Sequence, residues 1–294
     1  MEKWNIRKNK MLPVIFALAW PTMLEQFLQT AVQYIDTAMV GSLGTQATAA
    51  VGSTSTVNWL IGSTVSAIGV GLLAFISQSF GAGNRERAKR ASGQAVLVVL
   101  AVGISFTIVI AAINKQVPVW MQVDEGIRDM AARYFLILYA PMLFRTANII
   151  FGTVLRSVGD TKTPMMVAAA MNLVNIIFGF GLIFGFGPLK GMGIFGAATA
   201  LVLAQTFGAG MDLFLLYRKK KGLFFGTDPQ KKWFYIDKSC IYEVYTTGIP
   251  AALESMFWQF SAIILSKIIL SYGSSAFAAY QLGIQAETIT EMPA

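Results

Sequence analysis

The chain has 294 residues, of which 55% are hydrophobic and 13% are charged, and it carries a net charge of +8 at pH 7. Soluble domains contain roughly 25% charged residues, so this composition excludes an ordinary soluble protein and indicates a protein embedded in a bilayer. Histidine is absent and Cys240 is the single cysteine, which excludes an intrachain disulfide framework and a cysteine-based zinc site.

Long apolar stretches follow one another along the whole chain. A membrane-spanning helix needs about 20 mostly apolar residues. Seven stretches satisfy this criterion, and an eighth begins near Ala276. The seven predicted spans are Leu12–Val40, Val51–Phe80, Ala91–Ile113, Ala131–Leu155, Pro164–Phe186, Ile194–Tyr217 and Ile241–Leu270. The sequence therefore predicts an all-α fold, a polytopic membrane helix bundle.

The basic residues outside these spans are distributed unevenly. Seventeen Lys and Arg residues, Arg156 among them, lie on the side of the N-terminus and the even-numbered connections, and four lie on the other side. The positive-inside rule therefore predicts a multi-pass protein of the plasma membrane with a cytoplasmic N-terminus. Since this pattern explains the positive charge, we expect no nucleic-acid partner.

An internal repeat is visible when the chain is shifted by 229 residues. Pro21 and Glu25 then coincide with Pro250 and Glu254, and nine of thirty positions are identical. Six spans separate the two copies, so we expect a parallel repeat of six plus six helices, truncated here after about 7.5 spans. The predicted parts are an N-terminal six-helix lobe, a cytoplasmic linker and the incomplete start of a second six-helix lobe, at residues 1–222, 223–238 and 239–294 respectively.

The first span carries a stripe of polar residues. On a helix, Glu25, Gln29, Gln33 and Asp36 lie within about 80° of one another, and the two acids are about 16 Å apart along the axis. Polar groups at bilayer depth are costly and are functional candidates for that reason. We expect two unpaired acids that line a hydrated cavity and bind a proton or Na⁺. The alternative is that these groups only hydrogen-bond neighbouring helices.

Later spans contain further polar candidates. Asn172 and Asn175 in the fifth span are either cavity ligands or contacts between helices. In the seventh span, Glu254 and Trp258 suit an organic cation through charge and the ring face, although a packed Trp and a paired Glu are the alternative. We expect Arg145 in the fourth span to lie against a carboxylate.

Several motifs resemble those of the multidrug and toxic compound extrusion (MATE) transporters. Their order and spacing match along the whole chain. The motifs are Asp36-Thr37-Ala38-Met39-Val40-Gly41-Ser42-Leu43-Gly44, Gln78-Ser79-Phe80-Gly81-Ala82-Gly83, Arg156-Ser157-Val158-Gly159-Asp160-Thr161-Lys162-Thr163-Pro164 and Gly191-Met192-Gly193-Ile194-Phe195-Gly196-Ala197-Ala198.

This resemblance implies a specific mechanism. Members have twelve helices in two lobes around a central cavity, and they export organic cations and toxins in exchange for Na⁺ or protons. Asp36 matches the first-span coupling aspartate, Asn172 and Asn175 match polar fifth-span positions, and Glu254 lies near a seventh-span acid. Many members have an Asp-Pro pair where this chain has Gly179-Phe180, which departs from the proton-relay version of the mechanism.

The sequence leaves three possible functions open. We favour a cation-coupled efflux transporter for small organic cations, with Glu254, Gln29, Gln33 and Trp258 contacting the substrate. A lipid-linked oligosaccharide flippase of related fold would need a cavity lined with Arg and Lys, whereas this stripe is acidic. A membrane-embedded enzyme is the third possibility. No cofactor is expected beyond the coupling Na⁺ or H⁺, which could bind at Asp36. No nucleotide motif is present, so ATP is not an expected partner.

Overall fold

The computed structural model describes residues 11–121, 123–186, 189–224 and 238–271 together with positions 280 and 283. Most of the predicted eighth span and most of the predicted linker lie outside these residues. The described part consists of helices and one short hairpin. The elements are α1 (Met11–Gly41), α2 (Thr45–Gly81), α3 (Arg85–Ile113), α4 (Gln116–Trp120), α5 (Glu125–Tyr139), α6 (Met142–Ser157), α7 (Lys162–Phe184), β1 (Gly185–Phe186), β2 (Leu189–Lys190), α8 (Ile194–Phe224) and α9 (Lys238–Ser271). The predicted all-α bundle is confirmed.

Two helices begin at residues whose side chains cap their first turns. Asn84 accepts a hydrogen bond from the Arg87 main-chain N–H at the start of α3. Asp124 accepts one from the Gly126 N–H at the start of α5. Such caps satisfy main-chain donors that have no partner within the helix. These short polar residues therefore fix where the apolar helices start.

Four helical segments of the described residues are long and apolar enough to cross a membrane, and the bent pair α5–α6 makes a fifth. The four are Leu60–Gly81, Arg85–Ile113, Lys162–Phe184 and Ile194–Leu216. The predicted first and seventh spans are also continuous helices, of 31 and 34 residues. Among the described residues, neither helix is one of the five segments that meet the criteria of length and apolar composition.

The predicted fourth span, Ala131–Leu155, is not one continuous helix. It is divided into α5 and α6, which meet at a bend of 47°. The break falls at Pro141, whose ring prevents the helix from continuing. The Thr107 hydroxyl of α3 contacts the Ala140 carbonyl oxygen at 2.8 Å. The main-chain acceptor at the bend is therefore satisfied by a neighbouring helix.

The helices pack around two apolar cores. The first surrounds Phe135, Tyr139 and Met142, and the second surrounds Leu72 and Ile150. Helix α7 packs between α1 and α8, while α9 packs mainly on α2. Many large apolar side chains on the outside are exposed, which would favour aggregation in water but suits a lipid environment.

A polar contact links the central helices α6 and α8. The Asn148 side-chain amide donates a hydrogen bond of 2.8 Å to the main-chain carbonyl of Gln205. Side chain to main chain contacts of this kind are expected where two helices pack closely within a bilayer. Helices α6 and α8 are therefore joined by a hydrogen bond as well as by packing.

Candidate functional site

Asp36 and Asn175 lie together although 139 positions separate them in the chain. The Asn175 amide nitrogen donates to both carboxylate oxygens of Asp36, at 3.0 Å and 2.8 Å. Asn175 is buried on α7 and Asp36 is half-buried on α1. No described Lys or Arg forms an ion pair with Asp36. The carboxylate is therefore held by a neutral partner.

The helices approach closely one turn beyond this pair. A Cβ atom added to Gly179 would lie 3.2 Å from the Met39 side chain of α1 and 3.9 Å from the Ala200 side chain of α8. Phe180, the next residue, is exposed. Gly179 therefore allows the helices to pack closely, and the Gly179-Phe180 pair carries no carboxylate.

An apolar core begins one turn after Asp36, at Val40 of α1. Val40, Ala197 and Ala198 are buried in the core that also contains Tyr134. Tyr134 of α5 lies close enough to Asp36 to interact with it electrostatically. Apolar surroundings strengthen electrostatic interactions because they exclude water. A cation at Asp36 would therefore interact more strongly than it would at an exposed carboxylate.

Asn172 lies one turn before Asn175 on the same helix. Its side chain is buried, and its amide nitrogen has no hydrogen-bond partner among the described residues. Unpartnered buried donors are rare in folded proteins and require an explanation. An amide in this position can change partners when the neighbouring helices move.

The predicted stripe of the first span is divided by the packing of α1. Gln29 and Gln33 are exposed, whereas Glu25 is only 7% exposed. Both acids were expected to be unpaired, and that expectation is wrong for Glu25, which forms an ion pair with Arg156 of α6. Asp36 contacts the neutral amide of Asn175 and has no ion-pair partner among the described residues. The pairing results from the contacts of α1 with its neighbours, which a helix projection cannot show.

Arg156 and Arg145 occupy positions other than those expected. Arg156, counted with the cytoplasmic connections, belongs to the last turn of α6 and reaches inward to Glu25. Arg145, expected to face a carboxylate, lies over the ring of Tyr139 with 5.5 Å between its guanidinium carbon and the ring centre. A buried carboxylate needs a balancing charge, and Arg156 at the end of the same bundle supplies it.

Comparison with known proteins identifies the family. The MatE family profile matches residues 21–181, more than half of the chain. The chain belongs to the MatE family. The match includes Asp36, Asn172, Asn175 and the Gly179-Phe180 pair, and it confirms the resemblance inferred from the motifs. Several apolar helices and this membership together make the chain a multi-pass membrane protein.

The chain is also similar to individual MatE relatives. The probable multidrug resistance protein NorM of Thermotoga maritima is 28% identical over 285 residues, which cover 95% of this chain and 59% of the relative. The probable multidrug resistance protein YoeA of Bacillus subtilis is 29% identical over 275 residues, which cover 93% and 59%. The chain therefore spans about three fifths of the length of these curated relatives.

A solved structure has the same fold. A MOP superfamily transporter from Pyrococcus furiosus superposes with a TM-score of 0.85 at 22% identity, over 95% of this chain and 61% of that chain. The six-plus-six repeat and the lobe boundaries at residues 222 and 238 remain predictions, because a superposition on this part of a transporter does not test them.

Glu254 and Trp258 lie on α9, away from the interior polar groups. Both side chains are exposed, Trp258 by 73%. The described ion pair of this helix joins Glu243 to Arg87 of α3 near the start of α9. The structure therefore joins Asp36 to Asn175 and Glu25 to Arg156, but it places Glu254 and Trp258 on an open helix face of this MatE chain.

One buried acid, Asp212, was not predicted from the sequence. Asp212 of α8 is 3% exposed and interacts electrostatically with Arg156 and Glu25. A lone acid inside the apolar run Ile194–Tyr217 was the signal that could have identified it. No group of three His, Cys, Asp or Glu residues within the described ranges could hold a metal ion. The polar groups described in the interior include carboxylates, side-chain amides and guanidinium groups.

Proposed function

We propose that this MatE chain acts in secondary active efflux, exchanging Na⁺ or protons for small organic cations, drugs or toxins at the plasma membrane. Asp36 is the coupling residue of the proposal, assisted by Asn175 and Asn172, and Glu25 is a second coupling acid. The observation that supports it is the contact between the Asp36 carboxylate and the neutral Asn175 amide across two helices.

A carboxylate with this environment suits an exchange mechanism. An acid away from bulk water gains from binding a cation, since burial disfavours its charged form. The two amide hydrogen bonds hold the carboxylate in place, while the amide oxygen of Asn175 is one more ligand for Na⁺. Such a site can be loaded on one side of the membrane and emptied on the other.

The proposed substrate class follows from charge and aromatic character. Gln29 and Gln33 are exposed on α1, and Glu254 and Trp258 are exposed on α9. Carboxylates attract organic cations, and indole rings bind them through the ring face. The relatives named multidrug resistance proteins support a broad substrate range. No cofactor, ATP or nucleic acid takes part in the proposed mechanism.

The two alternatives have less support. A lipid-linked oligosaccharide flippase needs basic side chains free to bind phosphates, whereas Arg156 is already paired with Glu25. A membrane-embedded enzyme is less favoured because histidine, the commonest general base, is missing from the sequence.

Transport measurements test the proposal directly. Liposomes containing the protein are given a Na⁺ gradient, a pH gradient or neither, and movement of a fluorescent organic cation is followed. We expect one of the two gradients to drive transport, with no requirement for ATP. Equal movement with and without both gradients would reject secondary active efflux.

A further inference from the structure

A second group of ionisable side chains lies in the interior. Glu25 projects from α1, Arg156 from α6 and Asp212 from α8, and these three residues are called the Glu25 cluster below. Glu25 and Asp212 are both more than nine-tenths buried. The charged groups that face Asp212 are Arg156 of α6 and Glu25 of α1. Three separate helices therefore contribute one charge each to a single buried position.

The hydrogen bonds within the Glu25 cluster are incomplete. One oxygen of Glu25 accepts from Arg156, and the Gln29 amide donates to the same oxygen at 3.5 Å, the outer limit for such a bond. Among the described residues, no partner exists for the second oxygen of Glu25, for Oδ1 of Asp212 or for Nε of Arg156. Two buried carboxylate oxygens are therefore available to bind a positive ligand.

The charges of the Glu25 cluster do not balance. Two carboxylates and one guanidinium leave a net charge of −1 if both acids are ionised. An isolated buried charge is costly, and a buried acid avoids this cost by binding a proton. We propose that the Glu25 cluster is a second proton-binding site, in which one proton is shared by the Asp212 and Glu25 carboxyl groups while Arg156 balances the remaining negative charge.

A proton fits this cluster better than a metal cation. The Arg156 guanidinium lies within hydrogen-bond contact of Glu25, and it would repel Na⁺ at short range in these surroundings. A proton binds covalently to one oxygen and needs no shell of ligands. Because the two acids share one guanidinium, the proton belongs to the pair of acids and not to a single residue.

This inference deepens the proposed role of Glu25 as a second coupling acid by adding Asp212 and Arg156, which have no assigned role in that mechanism. Proton binding by the Glu25 cluster does not require transport to occur, so the two proposals can be tested separately. Infrared spectroscopy detects protonated carboxyl groups by their C=O stretching band, which ionised carboxylates lack. The measurement uses the whole chain in liposomes at neutral pH.

Three substitutions give a pattern specific to a shared proton. Asp212→Asn and Glu25→Gln each leave one acid beside Arg156, so the cluster is neutral without a proton and the band should lose one carboxyl per chain. Arg156→Gln leaves two acids without a cation, so the band should gain one carboxyl per chain. Asp129→Asn is the matched control, since Asp129 forms an exposed ion pair with Arg133, and it should leave the band unchanged.

The outcomes separate the possibilities. An unchanged band in Asp212→Asn or in Glu25→Gln, or no gain in Arg156→Gln, would overturn the proposal. The same measurement on the parent protein compares Na⁺ with K⁺ at fixed pH. If Na⁺ removes the part of the C=O band that the Asp212→Asn and Glu25→Gln variants lack, the cluster binds a metal cation and the proposal is overturned. Circular dichroism verifies folding. If one of the two acid variants does not fold, the other acid variant and Arg156→Gln still give opposite expected changes, and if Arg156→Gln does not fold, the two acid variants should still each lose one carboxyl. The result is independent of Asp36→Asn, which tests the proposed function.

Discussion

A single nitrogen of Asn175 donates to both oxygens of Asp36, at 3.0 Å and 2.8 Å, and thereby joins α7 to α1. Both bonds end on one carboxylate that has no basic partner among the described residues. A ligand that binds Asp36 must therefore compete with or join the Asn175 amide, so ion binding is linked to the contact between these two helices.

Replacing Asp36 tests this link. We expect Asp36→Asn to abolish gradient-driven transport, because the amide has a similar shape but cannot bind a proton or attract Na⁺ with a full charge. Helix content should stay unchanged. Transport of a fluorescent organic cation into liposomes gives the measurement, and Asp129→Asn, at an exposed ion pair, is the control that should retain transport. Full transport by a well-folded Asp36→Asn protein would contradict the coupling role.

Glu254 is expected to contribute to cation selectivity. Its side chain is exposed, so Glu254→Gln should leave the fold intact while it removes one negative charge. We expect several-fold weaker binding of a cationic dye and little change for a neutral dye, measured by fluorescence titration. Glu243→Gln removes the same charge from the same helix at a surface ion pair with Arg87, so it is the matched control. Equal affinity of the parent and Glu254→Gln proteins for the cationic dye would reject this role.

The orientation in the membrane can be measured by cysteine labelling. Arg87 and Lys190 lie at opposite predicted sides, and in a Cys240→Ser background each can be replaced by cysteine in turn. We expect an impermeant maleimide to label Lys190→Cys in intact cells and to label Arg87→Cys only after the cells are opened. The reverse pattern would contradict the predicted topology. Arg156 belongs to the last turn of α6 and is no longer counted with the connections. The predicted cytoplasmic side then has sixteen Lys and Arg residues outside the spans, and the opposite side has four.

A packing prediction concerns Gly196 of α8. A Cβ atom there would lie 2.3 Å from the Leu182 carbonyl oxygen of α7, so the main chain must shift to accommodate it. We expect Gly196→Ala to cost about 1–3 kcal/mol through overpacking. The temperature at which the purified protein loses its helical circular dichroism should fall. Gly181→Ala meets nothing within 4 Å and should leave this temperature unchanged or raise it.

Sequence reasoning predicted the helical architecture because hydropathy depends on local runs of residues. It correctly predicted α3, α7 and α8 as apolar spans, but it did not detect the bend at Pro141, since a hydropathy average is insensitive to a break in main-chain hydrogen bonding. Asp36 and Asn175 were singled out separately, and their contact depends on how α1 packs against α7.

The charged residues of the Glu25 cluster were also predicted without their contacts, because these depend on how the helices pack. Glu25 was recognised as a costly acid, but its partner is 131 positions away at the end of another helix. Arg156 was assigned to the loops because the fourth span was predicted to end at Leu155, whereas α6 ends at Ser157. Asp212 was overlooked because one acid changes the hydropathy of a long apolar run only slightly. Residue type therefore predicted which groups are costly to bury, and tertiary packing decided how each one is balanced.

The hydrogen bond from the Asn148 side chain to the Gln205 carbonyl also constrains how this bundle can move. A bond to the main chain fixes axial register, since a slide by one residue moves the carbonyl by about 1.5 Å and turns it by about 100°. Helices α6 and α8 are therefore expected to rotate as one rigid body. At Asp36 and Asn175, α1 and α7 meet through side chains alone, so the seam between them can open there without losing a hydrogen bond to the main chain.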